Sequence, residues 1–399
     1  MKTKILMVDD EPEIINAYRR LFFSFKNVWE INFATSGAEA IEFLKNNEVD
    51  VVVSDMRMPG MNGDELLRII QSDFPGTLRI ILSGYQDEIS IIRSLSSAHQ
   101  FLIKPCEPDK LKVTIENAYA LRDLIENKQF IEFANGLDEL PVLPQIYIKL
   151  EREFSKEDIS LRRVADIIEE DPVISAKILQ VVNSGFFGIP RRIADLMEAL
   201  NYLGTNLVKA IILYVETFSV KNYPEAESVE IRKIGKHSMK TAEIGRVLCK
   251  LKKLDKKSSD NIIISCILHD IGRLLMIRKK NYLNDVLEKM ASDNISMIDA
   301  ENKLYGFTHT SAGAYLLGIW GLPKEIIEAV GFHHNPSAIN CEADCVTGVV
   351  HFANAFANYS KSIFNFKEFD LDLEYTQKFI SEDEILKLWK NVLYSLDNK

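Results

Sequence analysis

The chain has 399 residues, and 48 Lys and Arg against 58 Asp and Glu leave a formal charge of −10. That length is too great for one ordinary core and predicts two domains. A hydrophobic fraction of 47% with 27% charged residues predicts a soluble globular protein, and the acidic balance argues against sequence-blind nucleic-acid binding, which needs a basic surface.

The opening MKTKILMVDD has too short an apolar run for a signal peptide, and no stretch reaches the roughly 18 apolar residues of a membrane span. Five scattered cysteines predict free thiols in a reducing compartment, so a cytoplasmic address is expected. Cys341 and Cys345 could form half a zinc site, but no second close Cys/His pair accompanies them.

Over the first 122 residues, apolar runs without alternation (KILMV at 4–8, INFA at 31–34, VVVS at 51–54, RIILS at 79–83, QFLI at 100–103) predict strands buried on both faces. Amphipathic stretches at 12–25, 37–46, 63–72 and 86–97 lie between them. Five β/α units of this kind predict an α/β fold, a doubly wound five-stranded parallel sheet with its ligand beyond the carboxyl ends of the strands.

Polar residues gather at those ends: Asp9 and Asp10 after the first strand, Asp55 after the third, Ser83 after the fourth and Lys104 after the fifth. Converging carboxylates repel unless a hard cation joins them, and Mg²⁺ suits a site of carboxylates, waters and a phosphate oxygen. A lysine opposite supplies charge for a phosphoryl group, and one aspartate can act as nucleophile. The segments VDDEP, SDMRMPGMNG, LSGY and FLIKP resemble the receiver domain of two-component response regulators over residues 1–122. The resemblance implies Asp55 as phosphoacceptor. It implies Mg²⁺ held by Asp9, Asp10, Asp55 and the Arg57 carbonyl, with Ser83 and Lys104 on the phosphoryl group. It also implies Phe101 as the aromatic switch residue and a cis Lys104–Pro105 bond.

Beyond Pro105, the spacing of Leu111, Ile115, Ala118, Leu121 and Ile125 predicts a helix over 108–136 that links the two halves. Such a helix can transmit a receiver movement or form a seam between two copies of the chain; a solvated spacer that couples nothing is the alternative.

From residue 137 the pattern is helical, with Ser160 in an N-cap position and Asp171-Pro172 between two helices. Phe186 and Phe187 are expected in a core or interface. The segments LPVLPQIYIKL, DPVISAKILQVVNS, ALNYLGTNLVKAIIL, LHDIGRLL, HTSAGAYLLGIWGLP and FHHNP resemble the HDOD domain, an all-α output module related to the HD phosphohydrolases, over 137–336. Residues 337–399 are expected as a helical extension packed on it. On the helix near 236–253, Lys236, Lys240, Glu243, Arg246, Lys250 and Lys253 form a solvated face, and His237, Ile244, Leu248 and Leu251 the inward one.

By this resemblance the HD pocket would hold Fe, Mn, Zn or Ni on His237, His269, Asp270, His309, His333 and His334, with Asp270 able to bridge two ions. The related hydrolases carry a last aspartate where this chain has Asn354, which brings no charge against the metal and no basicity for a water. The Gly-Tyr-Pro loop of cyclic di-GMP hydrolases is also absent after His334. The pocket is therefore open to three readings: metal-bound and non-catalytic, filled by mutually satisfied histidines, or hydrolytic.

Residues 232–257 hold ten Lys and Arg against Glu243 and Asp255. A solvated face explains them, and a docking patch for an acidic partner is the sharper alternative. The expected protein is a response regulator phosphorylated by a sensor histidine kinase. Its HDOD output would act through an unidentified protein partner or a homodimer, without membrane attachment or direct DNA binding. A phosphorylation-controlled phosphohydrolase acting on a cyclic or other nucleotide is the rival.

Overall fold

The computed structural model describes residues 2–74, 76–83, 100–104, 144–154, 158–183, 193–217, 225–358 and 369–397, with positions 111, 112, 114, 115, 129, 130, 133 and 156. The chain divides into two compact units. One is Met1–Val142 with Tyr305–Phe307 and Tyr315–Pro323; the other is Leu143–Leu304 with Thr308–Ala314 and Lys324–Lys399.

In the first unit, β1 (Thr3–Val8), β2 (Trp29–Ala34), β3 (Val51–Asp55), β4 (Leu78–Ser83) and β5 (Gln100–Ile103) form a parallel sheet in the order β2-β1-β3-β4-β5. Strand order reverses at β1 and β3, so their carboxyl ends frame a crevice. The continuous apolar runs are explained by burial: every residue of β3 is buried, whereas the edge strand β2 is partly open. Helices α1 (Pro12–Leu21), α2 (Gly37–Asn46) and α3 (Gly63–Asp73) follow β1, β2 and β3. Helix α1 runs on into a 3₁₀ turn over Phe22–Phe25, whose rings pack on Trp29. The capping box of Asn62 and Glu65 starts α3. Gly63 is dictated by proximity: a Cβ there would lie 2.1 Å from the Asp55 carbonyl oxygen. The helix expected over 86–97, the Lys104–Pro105 bond, most of the 108–136 link and Phe186–Phe187 lie outside the described residues.

The described part of the second unit is helical throughout. Its smaller helices are α4 (Gln145–Phe154), α5 (Leu161–Glu169), α6 (Pro172–Val182), α7 (Leu196–Leu203) and α8 (Thr205–Thr217). The Ser160 hydroxyl caps α5, as its position predicts. The long α9 (Glu225–Lys252) packs on α10 (Lys256–Leu268) and on α16 (Val346–Ala357), which is buried from Thr347 to its end. Ile244 and Leu248 face inward, His237 is half-buried, and Leu251, expected inside, is instead 40% exposed in the last turn of α9. Helices α11 (Ile271–Ile277), α12 (Tyr282–Asp293), α13 (Met297–Tyr305), α14 (His309–Ile319) and α15 (Lys324–Phe332) carry the chain around the pocket, and α17 (Leu373–Phe379) and α18 (Glu382–Asp397) follow α16. Trp389 of α18 is buried against Phe356 and Phe369.

The expectation of free thiols holds for Cys249 and Cys266, both buried, but Cys341 and Cys345 are joined as a disulfide. The tertiary setting brings them together. The Tyr375 hydroxyl donates to the Glu342 and Ala343 carbonyls between them, and Cys345 caps α16 by accepting from the Gly348 amide. Among the described residues, no helix is long and apolar enough to cross a membrane.

Candidate functional site

At the carboxyl ends of the strands, the Lys104 ammonium lies 2.8 Å from Asp9 Oδ2 and also pairs with Asp55 Oδ1. The other oxygens are held by backbone: Asp9 Oδ1 accepts from the Glu11 amide at 3.0 Å, and Asp55 Oδ2 from the Arg57 amide at 2.9 Å. Burial raises the Asp55 pKa, and Lys104 only partly offsets that. Burial works against the Lys104 ammonium, but its bonds to Asp55 and Asp9 more than compensate and raise its pKa. The result is a nucleophile kept close to a positive charge that can later neutralise phosphoryl oxygens. Beside it, Asp10, Met56, Arg57, Met58, Pro59, Asn62 and Asp64 line an open cleft of about 520 Å³. Ser83 ends β4 and Phe101 lies within β5; their side chains lie outside the described residues. The carboxylates of Asp9 and Asp55 converge as predicted and, with half-exposed Asp10 at the cleft, fit a hard cation.

The second unit assembles the other predicted cluster. Helix α10 stops at Leu268, and His269 and Asp270 occupy the break before α11, which frees both side chains from the helix faces. His237 comes from α9, His309 from the start of α14, His333 and His334 from just beyond α15, and Asn354 from α16. Their ligand atoms fall into two trios, His237–His269–Asp270 and His309–His333–His334, each with its ligand atoms within 4.8 Å of one another.

Hydrogen bonds set the ring states. His269 Nδ1 donates to the Cys266 carbonyl and His333 Nδ1 to the Val330 carbonyl, each at 2.8 Å. Burial keeps both rings neutral, lowering His269 to about 4 and His333 well below the ordinary range. Since a carbonyl can only accept, Nε2 of each ring is left as a bare lone pair, and among the described residues each is buried without a partner. His309 differs. Burial disfavours its charge, but Glu301 accepts from Nδ1 at 2.8 Å and Asp270 Oδ1 lies 3.4 Å from Nε2, lifting its pKa to about 9. A proton thus sits between two buried carboxylates where a cation would fit. His334 is half-buried, and its pKa is lowered by burial and by neighbouring His309 to about 3. The donor set of imidazole nitrogens and one carboxylate fits a divalent transition-metal ion.

Asp270 is itself constrained. Burial alone would raise its pKa, but His269 and Arg273 hold it well below the carboxylate range. Arg273 donates to Asp270 Oδ2 at 3.2 Å and pairs with Glu230 at 3.0 Å. Asn354 Oδ1 accepts from His237 Nε2 at 2.8 Å. Gly272 lets the pocket floor close: a Cβ there would lie 1.9 Å from the His309 carbonyl oxygen.

Several contributors escape sequence reasoning. Glu301 is fully buried and accepts from the His309 amide, His309 Nδ1 and, at 2.5 Å, the Tyr282 hydroxyl. His351, on α16, donates from Nδ1 to the His333 carbonyl at 2.7 Å and accepts at Nε2 from the Asp372 amide at 3.0 Å.

Comparison with known proteins agrees with this division. Residues 5–116 match the family model of the response regulator receiver domain, and residues 140–336 that of the HDOD domain. An uncharacterized protein of Treponema pallidum is 24% identical over 222 residues, 55% of this chain and 42% of that protein. The hydrogenase transcriptional regulatory protein HoxA of Cupriavidus necator is 34% identical over 122 residues, 30% of this chain and 25% of that protein. The chain therefore spans less than half the length of these curated relatives. An HDOD domain protein of Geobacter sulfurreducens shares the fold, with a TM-score of 0.51 at 21% identity over 67% of this chain and 92% of that one. The chain thus carries a receiver domain over residues 5–116 and an HDOD domain over residues 140–336, a pairing that fits a response regulator.

Proposed function

We propose that a sensor histidine kinase phosphorylates Asp55 and that the HDOD domain delivers the output through protein–protein contacts. The observation that carries the reading is the Lys104 ammonium set between Asp9 and Asp55. Mg²⁺, held by Asp9, Asp10, Asp55 and the Arg57 carbonyl, would neutralise charge on the incoming phosphoryl group. An Asp55 oxygen attacks phosphorus, the bond from phosphorus to the kinase imidazole breaks, and an acyl phosphate results. Lys104 then trades its Asp55 contact for a phosphoryl oxygen, with Ser83 as the second contact and Phe101 following the shift. The 108–136 link passes the change to an output domain over 137–336, on which 337–399 packs, and two copies of the chain or a separate partner read it. A cytoplasmic protein that binds no DNA directly completes the reading.

The test is labelling with a small-molecule phosphodonor and Mg²⁺, or with a cognate kinase. Wild-type protein should gain one phosphoryl group and Asp55→Asn none; wild-type protein left unlabelled at Asp55 would refute the reading.

A second reading, a metal-dependent phosphohydrolase in the HD pocket, draws support from the buried bare nitrogens of His269 and His333. Asn354 counts against it, because a carboxamide cannot take a proton from water. Assays on cyclic dinucleotides and mononucleotides, with Asp270→Ala as control, separate the two.

A further inference from the structure

The two histidine trios are not equivalent. On the side of His309, His333 and His334, Asp270 Oδ1 faces His309 Nε2 at 3.4 Å and His333 Nε2 at 3.9 Å, and both nitrogens are buried without a hydrogen-bond partner among the described residues. On the side of His237 and His269, two of the three donors are already engaged and only His269 Nε2 is bare. Asn354 Oδ1 holds His237 Nε2, and Arg273 holds Asp270 Oδ2, the oxygen that faces His269 Nε2 at 3.7 Å.

Charge points the same way. Asp270 and Glu301 are the buried carboxylates nearest the three-histidine side, and together they balance one dication. Arg273 adds a positive charge that Glu230 offsets. A second dication would stand uncompensated in a buried site, where an unpaired charge is strongly disfavoured.

We infer that the pocket is built for a single transition-metal ion, held by His309, His333, His334 and Asp270 Oδ1, and that Asn354 and Arg273 close the adjacent half to a second one. The inference rests on the reading that the pocket binds metal at all. Three imidazoles and one carboxylate select the class: zinc, iron, cobalt or nickel rather than magnesium or calcium, which prefer all-oxygen shells. Asp270 therefore acts through one oxygen and does not bridge two ions.

The test uses the full chain stripped of metal and titrated with Co²⁺ in excess Mg²⁺, which silences the receiver site, followed by elemental analysis with Zn²⁺. One tight equivalent should bind, with a visible spectrum of nitrogen and oxygen ligation and no thiolate charge-transfer band. His334→Ala should weaken it by about ten-fold or more, His237→Ala should leave it unchanged, and Asn354→Asp should admit a second equivalent. Far-UV circular dichroism establishes that each variant is folded. Two tight equivalents in the wild type, an ion lost in His237→Ala but kept in His334→Ala, or one equivalent still in Asn354→Asp would overturn the one-ion assignment while sparing the metal reading. No tight equivalent in any protein would remove both.

Discussion

Replacing Glu301 by Ala measures how much of the helical unit depends on one buried carboxylate. Glu301 has no exposed surface and accepts from three donors: the His309 amide, His309 Nδ1 and the Tyr282 hydroxyl. Each donor left buried without an acceptor costs about 1–3 kcal/mol. Water entering the vacated volume recovers part of that sum, so the expected loss is about 3–5 kcal/mol, the range for breaking a buried ion pair from one side. Against a typical stability of about 5–15 kcal/mol this is large enough to move the urea midpoint of the helical unit clearly below that of wild type. Glu301→Gln keeps one acceptor oxygen and should lose less. A double-mutant cycle with Tyr282→Phe should give a coupling of about 0.5–3 kcal/mol. A loss under about 1 kcal/mol for Glu301→Ala, or strict additivity with Tyr282→Phe, would refute the assignment of Glu301 as the anchor of His309.

Stability of the metal-free helical unit should pass through a maximum near neutral pH. His309, raised to about 9 from the ordinary 6.5, contributes fully below 6.5 and loses its contribution as pH rises through about 9. His269 and His334, lowered to about 4 and about 3, contribute above 6.5 and lose that contribution as pH falls toward those values. Urea midpoints measured across this range check it, and a flat profile would contradict the assigned ring states. Gly272→Ala should destabilise the unit by about 1–3 kcal/mol or more, because the added Cβ meets the His309 carbonyl oxygen and, at 2.4 Å, the Gly313 amide, and backbone cannot step aside as a flexible side chain can. The same variant should lower metal retention, read by elemental analysis. Trp389→Ala should cost about 3–5 kcal/mol in the same urea transition, since the ring is 2% exposed and packs on Phe356 at 5.1 Å. A negligible loss would mean that α18 folds apart from the rest.

The receiver was legible because its chemistry is local. Each strand is one apolar run and each functional residue sits at the end of one, so the spacing of Asp9, Asp55 and Lys104 along the chain maps directly onto a crevice. Boundaries slipped where tertiary packing decides: β2 begins at Trp29, two residues before the apolar run, because that ring is buried against Phe22 and Phe25. The five histidines and the aspartate that meet in the pocket were legible as a motif. Their supporting groups were not. Glu301 stands eight residues before His309 in the polar run AENK and reads as a solvated acid until α13 and α14 are brought together. Arg273, one turn past the HD pair, looks like a surface cation, yet it fixes which Asp270 oxygen is available. For Cys341 and Cys345 the free-thiol expectation failed for the same reason. It rested on the number and scatter of the cysteines along the chain, whereas Cys341 and Cys345 pair across the loop that Tyr375 holds folded.

His351 spends both ring nitrogens on backbone, one on the carbonyl of His333 and the other on the amide of Asp372. It therefore behaves as a strut and not as an acid or base: it cannot take up a proton without releasing residue 372. The segment leading into α17 is thereby tied to the very residue whose imidazole faces the pocket. A protein that grips this outer segment would have a mechanical handle on the pocket-facing ring of His333, and the acidity of the surroundings would loosen that handle without touching the ring itself.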